Sequence, residues 1–234
     1  MTLVFLVRHA HSTANDAHIL SGRIAGVHLS PRGRVQSRSL AKRLGDLPVK
    51  ALRSSPLERC EETIAPWLRR LEKRDTNPRL RLEFDEDLIE VDYGIWSGRK
   101  LRSLSREPLW RNVQARPSKV IFPEGEAMAR MQRRGIQAVE SALQIRGKGN
   151  IVLISHGDLI KSIIANALSM HLDDFQRIIV DPASVSVIDF SHATPRVLLL
   201  NDSRSRLDDG SFASRGKMAL IGGGPGSASR RRAR

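Results

Sequence analysis

Apolar residues fall in short dense blocks separated by longer stretches in which they recur every three or four positions. Leu3 to Val7, Ala51 to Leu52, Arg81 to Phe84, Ile151 to Ile154, Val185 to Phe190 and Val197 to Leu200 read as strands. Several are continuous β-branched or Leu-rich runs, which suits a sheet buried on both faces. Ser30-Pro31 supplies an N-cap and a first-turn proline for a helix running to about Leu44. Ser55-Pro56-Leu57-Glu58 has capping-box spacing and opens a second helix, with Cys60, Ile64, Trp67, Leu68 and Leu71 on its apolar face. A third helix is predicted from about Glu126 to Leu143, striped by Met128, Met131, Gly135, Val139 and Ala142. A fourth, from about Asp158 to Ser169, buries Leu159, Ile160, Ile163, Ile164, Ala167 and Leu168. Strands alternating with helices predict an α/β fold, a three-layer α/β/α sandwich around a mostly parallel sheet. Its ligand site should lie beyond the carboxyl ends of the strands.

Composition narrows this picture. With 234 residues, 40% of them apolar, the chain can build one sizeable core, so one domain is expected over 1–201. The net charge is +14, and from Asp202 to Arg234 eight Lys or Arg stand against three Asp, a local +5. That stretch ends in Gly222-Gly223-Gly224-Pro225-Gly226-Ser227-Ala228-Ser229 and Arg230-Arg231-Arg232-Ala233-Arg234, which cannot bury a core, so 202–234 reads as a disordered basic tail. Cys60 is the only cysteine, which excludes an internal disulfide and a cysteine-built zinc site and agrees with a reducing compartment. No apolar stretch approaches bilayer length, and the start lacks a basic flank and a cleavage site, so a soluble, cytoplasmic protein without a membrane partner is expected. The basic charge invites a reading as a nucleic-acid or anionic-surface binder. Aromatic residues are only 4% of the chain, however, too few for interleaved base stacking, so nucleic acid is not the expected partner.

The candidate chemistry falls at the predicted strand ends. Arg8-His9 follows the first strand, and His156 follows Ile151 to Ser155, so a sheet can make them neighbours. Arg59 lies in the first turns of the helix after Ser55, where free backbone N–H groups and the helix dipole favour an anion. Singly these are an ordinary turn, a helix-cap histidine and a surface arginine. Together they would surround a phosphoryl group. A neutral imidazole is a good nucleophile near pH 7, and the arginine fork binds phosphate oxygens bidentately without losing its charge. Arginines in this role replace a metal ion, so neither metal nor cofactor is expected. His11, His18 and His28 lie close in sequence, but their spacing matches no familiar ligand pattern.

Four motifs in order carry a resemblance. They are Arg8-His9-Ala10-His11-Ser12-Thr13-Ala14-Asn15, Ser54-Ser55-Pro56-Leu57-Glu58-Arg59-Cys60-Glu61-Glu62-Thr63, Glu90-Val91-Asp92-Tyr93-Gly94-Ile95-Trp96-Ser97-Gly98, and Ser155-His156-Gly157. Between the first two, Ser21-Gly22 and Leu29-Ser30-Pro31-Arg32-Gly33 look like a substrate loop and helix start. Over roughly residues 2 to 200 the chain resembles the histidine phosphatase superfamily, also called phosphoglycerate mutase-like, within a bacterial subgroup commonly labelled phosphomutase. The resemblance implies a phosphohistidine on His9, with Arg8, Arg59 and His156 around the phosphoryl group and Glu90 as the proton donor. Asp92 is the rival acid inside the motif. Asn15, Ser21, Gly22 and Gly157 are implied as substrate-binding, with Gly157 letting the backbone pass close to the phosphate. Ala10 departs from the usual glycine, and His11, departing from the usual Glu or Gln, is expected at the pocket mouth or in solvent.

The implied partner is a small-molecule phosphate ester, a sugar phosphate or phosphoglycerate-like compound. The short segment from Glu90 to His156 and the Gly-rich tail favour hydrolysis over a mutase, which must exclude water. The segment from Leu101 to Gly125 is expected to cover the site. Together with the preceding Lys100 it carries Arg102, Arg106, Arg111, Arg116 and Lys119, which favours a poly-anionic substrate. Oligomeric state is left open, a homodimer included.

Overall fold

The computed structural model describes residues 2–74 and 80–208. Its strands are β1 (Leu3–Arg8), β2 (Val49–Ser54), β3 (Leu82–Phe84), β4 (Asn150–Ser155), β5 (Val185–Asp189) and β6 (Arg196–Asp202), in the spatial order β3-β2-β4-β1-β5-β6. Across β3, β2, β4 and β1 the pairing is parallel. The last two strands are antiparallel, because a short turn folds β6 back on β5 and β5 runs against β1. The helices are α1 (Thr13–Asp16), α2 (Pro31–Leu44), α3 (Glu58–Arg74), α4 (Leu101–Leu104), α5 (Pro108–Ala115), α6 (Met128–Leu143) and α7 (Gly157–Ala167).

Period-two alternation distributes each central strand between two cores. Val4 and Leu6 of β1 and Ile151 and Leu153 of β4 pack with Met131, Val139, Leu159 and Ile163 of α6 and α7. Leu3, Phe5, Val7, Val152 and Ile154 face the other way, onto Leu40, Leu44, Ile64 and Trp67 of α2 and α3. That is why the strand blocks are apolar at every position.

Local signals hold at the start of α2, where Ser30 caps the helix by accepting from Gly33 N at 3.1 Å. In α3, Pro66 has no N–H to offer the carbonyl of Glu62. Ser37 of α2 repairs the gap, its Oγ lying 3.1 Å from Glu62 O and 2.8 Å from Thr63 O.

Three expectations need correction. The capping box at Ser55 does not form: α3 begins at Glu58, whose carboxylate accepts instead from Gly26 N at 2.9 Å. The third helix begins at Met128, two residues past the expected Glu126, after an extended Ala127, and the Glu126 carboxylate instead joins an ion-pair cluster with Arg23 and Arg134. The first residues of the predicted tail stay on the body, with Leu207 buried in the α2–α3 core and Arg43 Nε donating to Ser205 O at 3.0 Å. The remainder of that tail, 209–234, lies outside the described residues. Among the described residues no helix is long and apolar enough to cross a membrane.

Candidate active site

Strand register assembles the site. Arg8 pairs with Ser155 across β1 and β4, so the next residues, His9 and His156, leave adjacent strand ends together. His9 N donates to Ser155 O at 2.9 Å, and the two rings lie 5.2 Å apart, centroid to centroid. His9 Nδ1 is 2.8 Å from the carbonyl of Ala10. A carbonyl can only accept, so Nδ1 carries the proton and Nε2 is left with a free lone pair. Burial, then the charges of Arg59 and Arg8, hold the His9 pKa well below the usual histidine value, so the ring is neutral at pH 7.

Beneath His9 lie Arg59 and His156, both fully buried. Arg59 Nη2 donates to Gly22 O at 2.7 Å and sits 3.2 Å from His156 Nδ1, which must accept because a guanidinium only donates. His156 Nε2 therefore holds the proton and donates to Ser55 Oγ at 2.8 Å. The serine read as a helix cap in fact orients the second histidine. Burial pushes the neighbouring Cys60 thiol up to about 12, leaving it an inert core group. Three guanidinium nitrogens, Arg59 Nε, Arg59 Nη1 and Arg8 Nε, are buried donors without a hydrogen-bond partner. Such donors are costly unless an anion completes them.

Arg8, His9, Asn15, Ser21, Gly22, Glu90 and Gly157 line one cleft of about 390 Å³. Glu90 is 8% exposed, and burial followed by the charge of Asp158 pushes its pKa up to about 7. Asp92, the rival acid, faces away: its Oδ1 accepts from Gly94 N at 3.0 Å and its Oδ2 lies 4.0 Å from Arg23 Nη1. Asn15 closes a reciprocal cap with Ser12, accepting from Ser12 N at 2.9 Å. Gly22 has a φ of +50°, and a Cβ there would come within 2.8 Å of Ser97 Oγ, so both backbone and space require glycine. At Gly157 a Cβ would make only ordinary contact with the Arg8 guanidinium, at 3.4 Å, so space alone does not demand glycine there.

Other expectations move. Ala10 packs with Leu29 and Ala183 and keeps a negative φ, so its methyl is used. His11 does not line the cleft; its Nδ1 lies 3.0 Å from Ser30 Oγ and 3.6 Å from Asp16. Of the covering segment only Leu101 reaches the cleft, and none of Lys100, Arg102, Arg106, Arg111, Arg116 and Lys119 does. All six are exposed to solvent instead.

Two groups of residues escape sequence reasoning. Arg23 and Arg134 both donate to the Glu90 carbonyl, at 2.8 and 3.0 Å, and both pair with Glu126, at 2.9 and 2.7 Å. Arg134 Nη1 also reaches the carbonyls of Asp87 and Ile89, so one guanidinium pins the whole acid loop. Asp158, Lys161, Gln176 and Asp181 also line the cleft. The Asp158-x-x-Lys161 spacing after His156 was the one available hint, since it puts both side chains on one helix face.

Known proteins resemble this chain in sequence and in fold. Phosphoserine phosphatase 1 of Hydrogenobacter thermophilus is 29% identical over 206 residues, covering 86% of this chain and 92% of that protein. The protein named "Probable phosphoglycerate mutase GpmB" in Erwinia tasmaniensis is 28% identical over 191 residues, covering 81% and 85%. The crystal structure of phosphoserine phosphatase from Entamoeba histolytica, in complex with 3-phosphoglyceric acid, superposes with a TM-score of 0.74 at 21% identity, over 88% of this chain and 100% of that one, a likeness of fold. With residues 4–203 matching the histidine phosphatase superfamily (branch 1), and with His9 and His156 leaving adjacent parallel strand ends, the chain belongs to that superfamily.

Proposed function

We propose that this protein is a metal-independent phosphomonoesterase for a small phosphate ester. The observation that carries the reading is that a neutral, correctly tautomeric His9, the unpartnered Arg8 Nε and a carboxyl that holds its proton up to about pH 7 line one cleft, while Arg59, with two more unpartnered donors, and His156 lie buried behind that lining. His9 Nε2 attacks phosphorus, forming the N–P bond as the ester P–O bond breaks. Arg8 and Arg59 take the spread negative charge on their unpaired nitrogens, and the Glu90 proton goes to the departing alkoxide. Water then attacks the phosphohistidine, giving its proton to the Glu90 carboxylate, and the N–P bond breaks to release phosphate.

Hydrolysis is favoured over phosphoryl return because, of the segment 101–125, only Leu101 reaches the cleft, too little to exclude water. The names of the relatives fit a small phosphate ester in either case. The test is turnover of an aryl phosphate in excess chelator by the wild type and by His9→Ala, with acid-quenched protein weighed for an added phosphoryl group. Chelator-resistant turnover and a phosphoryl adduct, both lost in His9→Ala, are expected. Turnover that survives His9→Ala would refute the reading.

A further inference from the structure

None of the cations from Lys100 to Lys119 lines the cleft, and, apart from Arg8, His9 and Glu90, its lining still holds charge of both signs. Lys161 of α7 is its cation, with Nζ 3.1 Å from Gln176 Oε1, 3.5 Å from Asp158 Oδ1 and 5.6 Å from the centre of the Phe175 ring. These three contacts fix the ammonium, whose three donors face only two protein acceptors. Asp158 is positioned as firmly, its Oδ2 accepting from the Tyr93 hydroxyl at 2.8 Å. Asp181 adds a second carboxylate, held by Asn201 Nδ2 at 2.9 Å. The Lys161 and Asp158 side chains are only 19% and 22% exposed, so a ligand completing them is less screened than at an open surface.

A leaving group bearing only carboxylates would meet Lys161 but also two fixed carboxylates. One bearing only an ammonium would meet Asp158 but also Lys161. A leaving group carrying both charges on neighbouring atoms satisfies the pair. Resting on the phosphomonoesterase reading above, we propose that Lys161 and Asp158 form a zwitterion subsite that selects phosphate esters of a hydroxy amino acid. Lys161 receives the carboxylate and Asp158 the ammonium, while the phosphoryl group sits at His9.

The experiment compares kcat/KM for O-phosphoserine, O-phosphoethanolamine, 3-phosphoglycerate and glycerol 3-phosphate. O-phosphoserine should exceed each of the others by about tenfold or more, as expected for one added charge-assisted bond in a half-dry site. Lys161→Met should erase the preference for O-phosphoserine over O-phosphoethanolamine, and Lys161→Arg should retain most of it. Asp158→Asn should erase the preference over 3-phosphoglycerate. Calorimetric binding of O-phosphoserine to His9→Ala, with and without Lys161→Met, makes the same comparison without turnover and should weaken by about tenfold. Equal specificity across the four esters, or ratios and affinities unmoved by the substitutions, would overturn the subsite. If no ester is hydrolysed by the wild type, the hydrolase reading falls, and the binding comparison still decides the subsite.

Discussion

Replacing Glu90 by glutamine separates what the acid does for catalysis from what it costs the fold. The carboxyl is 8% exposed, and its pKa rises from 4.5 to about 7 through burial and the nearby Asp158. At 1.36 kcal/mol per pH unit this corresponds to about 3 kcal/mol of preference for the neutral form in the folded chain. The folded state therefore keeps a proton that the unfolded state gives up. The stabilisation is fully present below pH 4.5 and is lost as pH rises through about 7. Glutamine is neutral throughout, and its Oε1 can still accept from Val91 N, as Glu90 does at 2.9 Å. Glu90→Gln should thus lie within about 1 kcal/mol of the wild type near pH 5 and be more stable by about 3 kcal/mol above pH 8, a shift of about 1 M in urea midpoint for a slope near 3 kcal/mol/M. The same substitution should lower kcat on an alkyl phosphate by about 10²–10⁴, and much less on an aryl phosphate whose leaving group needs no proton. Urea titrations from pH 5 to 9 on both chains decide the matter. A stability difference that does not change with pH would refute the buried-acid argument, whatever happens to turnover.

Other substitutions probe the remaining parts. Arg59→Met should reduce kcat/KM by about 10²–10³ and abolish the rise in Tm that inorganic phosphate gives the wild type; phosphate stabilisation that persists would remove Arg59 from the anion site. Arg134→Met strips Glu126 and three loop carbonyls of a shared donor and should cost about 3–5 kcal/mol, read as a Tm lowered by roughly 10 °C. Ser37→Ala leaves the Glu62 carbonyl opposite Pro66 without its donor and should cost about 1–3 kcal/mol in chemical denaturation, whereas Ser39→Ala, on the exposed side of α2, should cost almost nothing.

By itself the sequence determined the alternation of strands and helices, the caps that are local, and the residue types that meet at the strand ends. Those signals depend on spacing within a few residues: apolar runs for β1 and β4, three-and-four periodicity for α3 and α7, and Ser30-Pro31 for the start of α2. His9, Arg8, Arg59, His156 and Glu90 were legible for the same reason, each sitting in a short motif beside a strand or helix end. Only the tertiary structure decided what those residues touch. Ser55 has the spacing of a cap, yet a histidine more than a hundred positions away is 2.8 Å from its hydroxyl and takes it as acceptor. Glu126 reads as the first turn of a helix, yet Arg23, 103 positions away, joins Arg134 of the following helix in drawing it into the clamp on the acid loop. The cations from Lys100 on read as a lid of charge, but all of them are exposed and none lines the cleft, and the reversal into β5 and β6 depends on a sheet edge that no local pattern encodes. Periodicity and capping are properties of neighbouring residues, whereas strand register and buried ion pairs are set by which distant surfaces exclude water together.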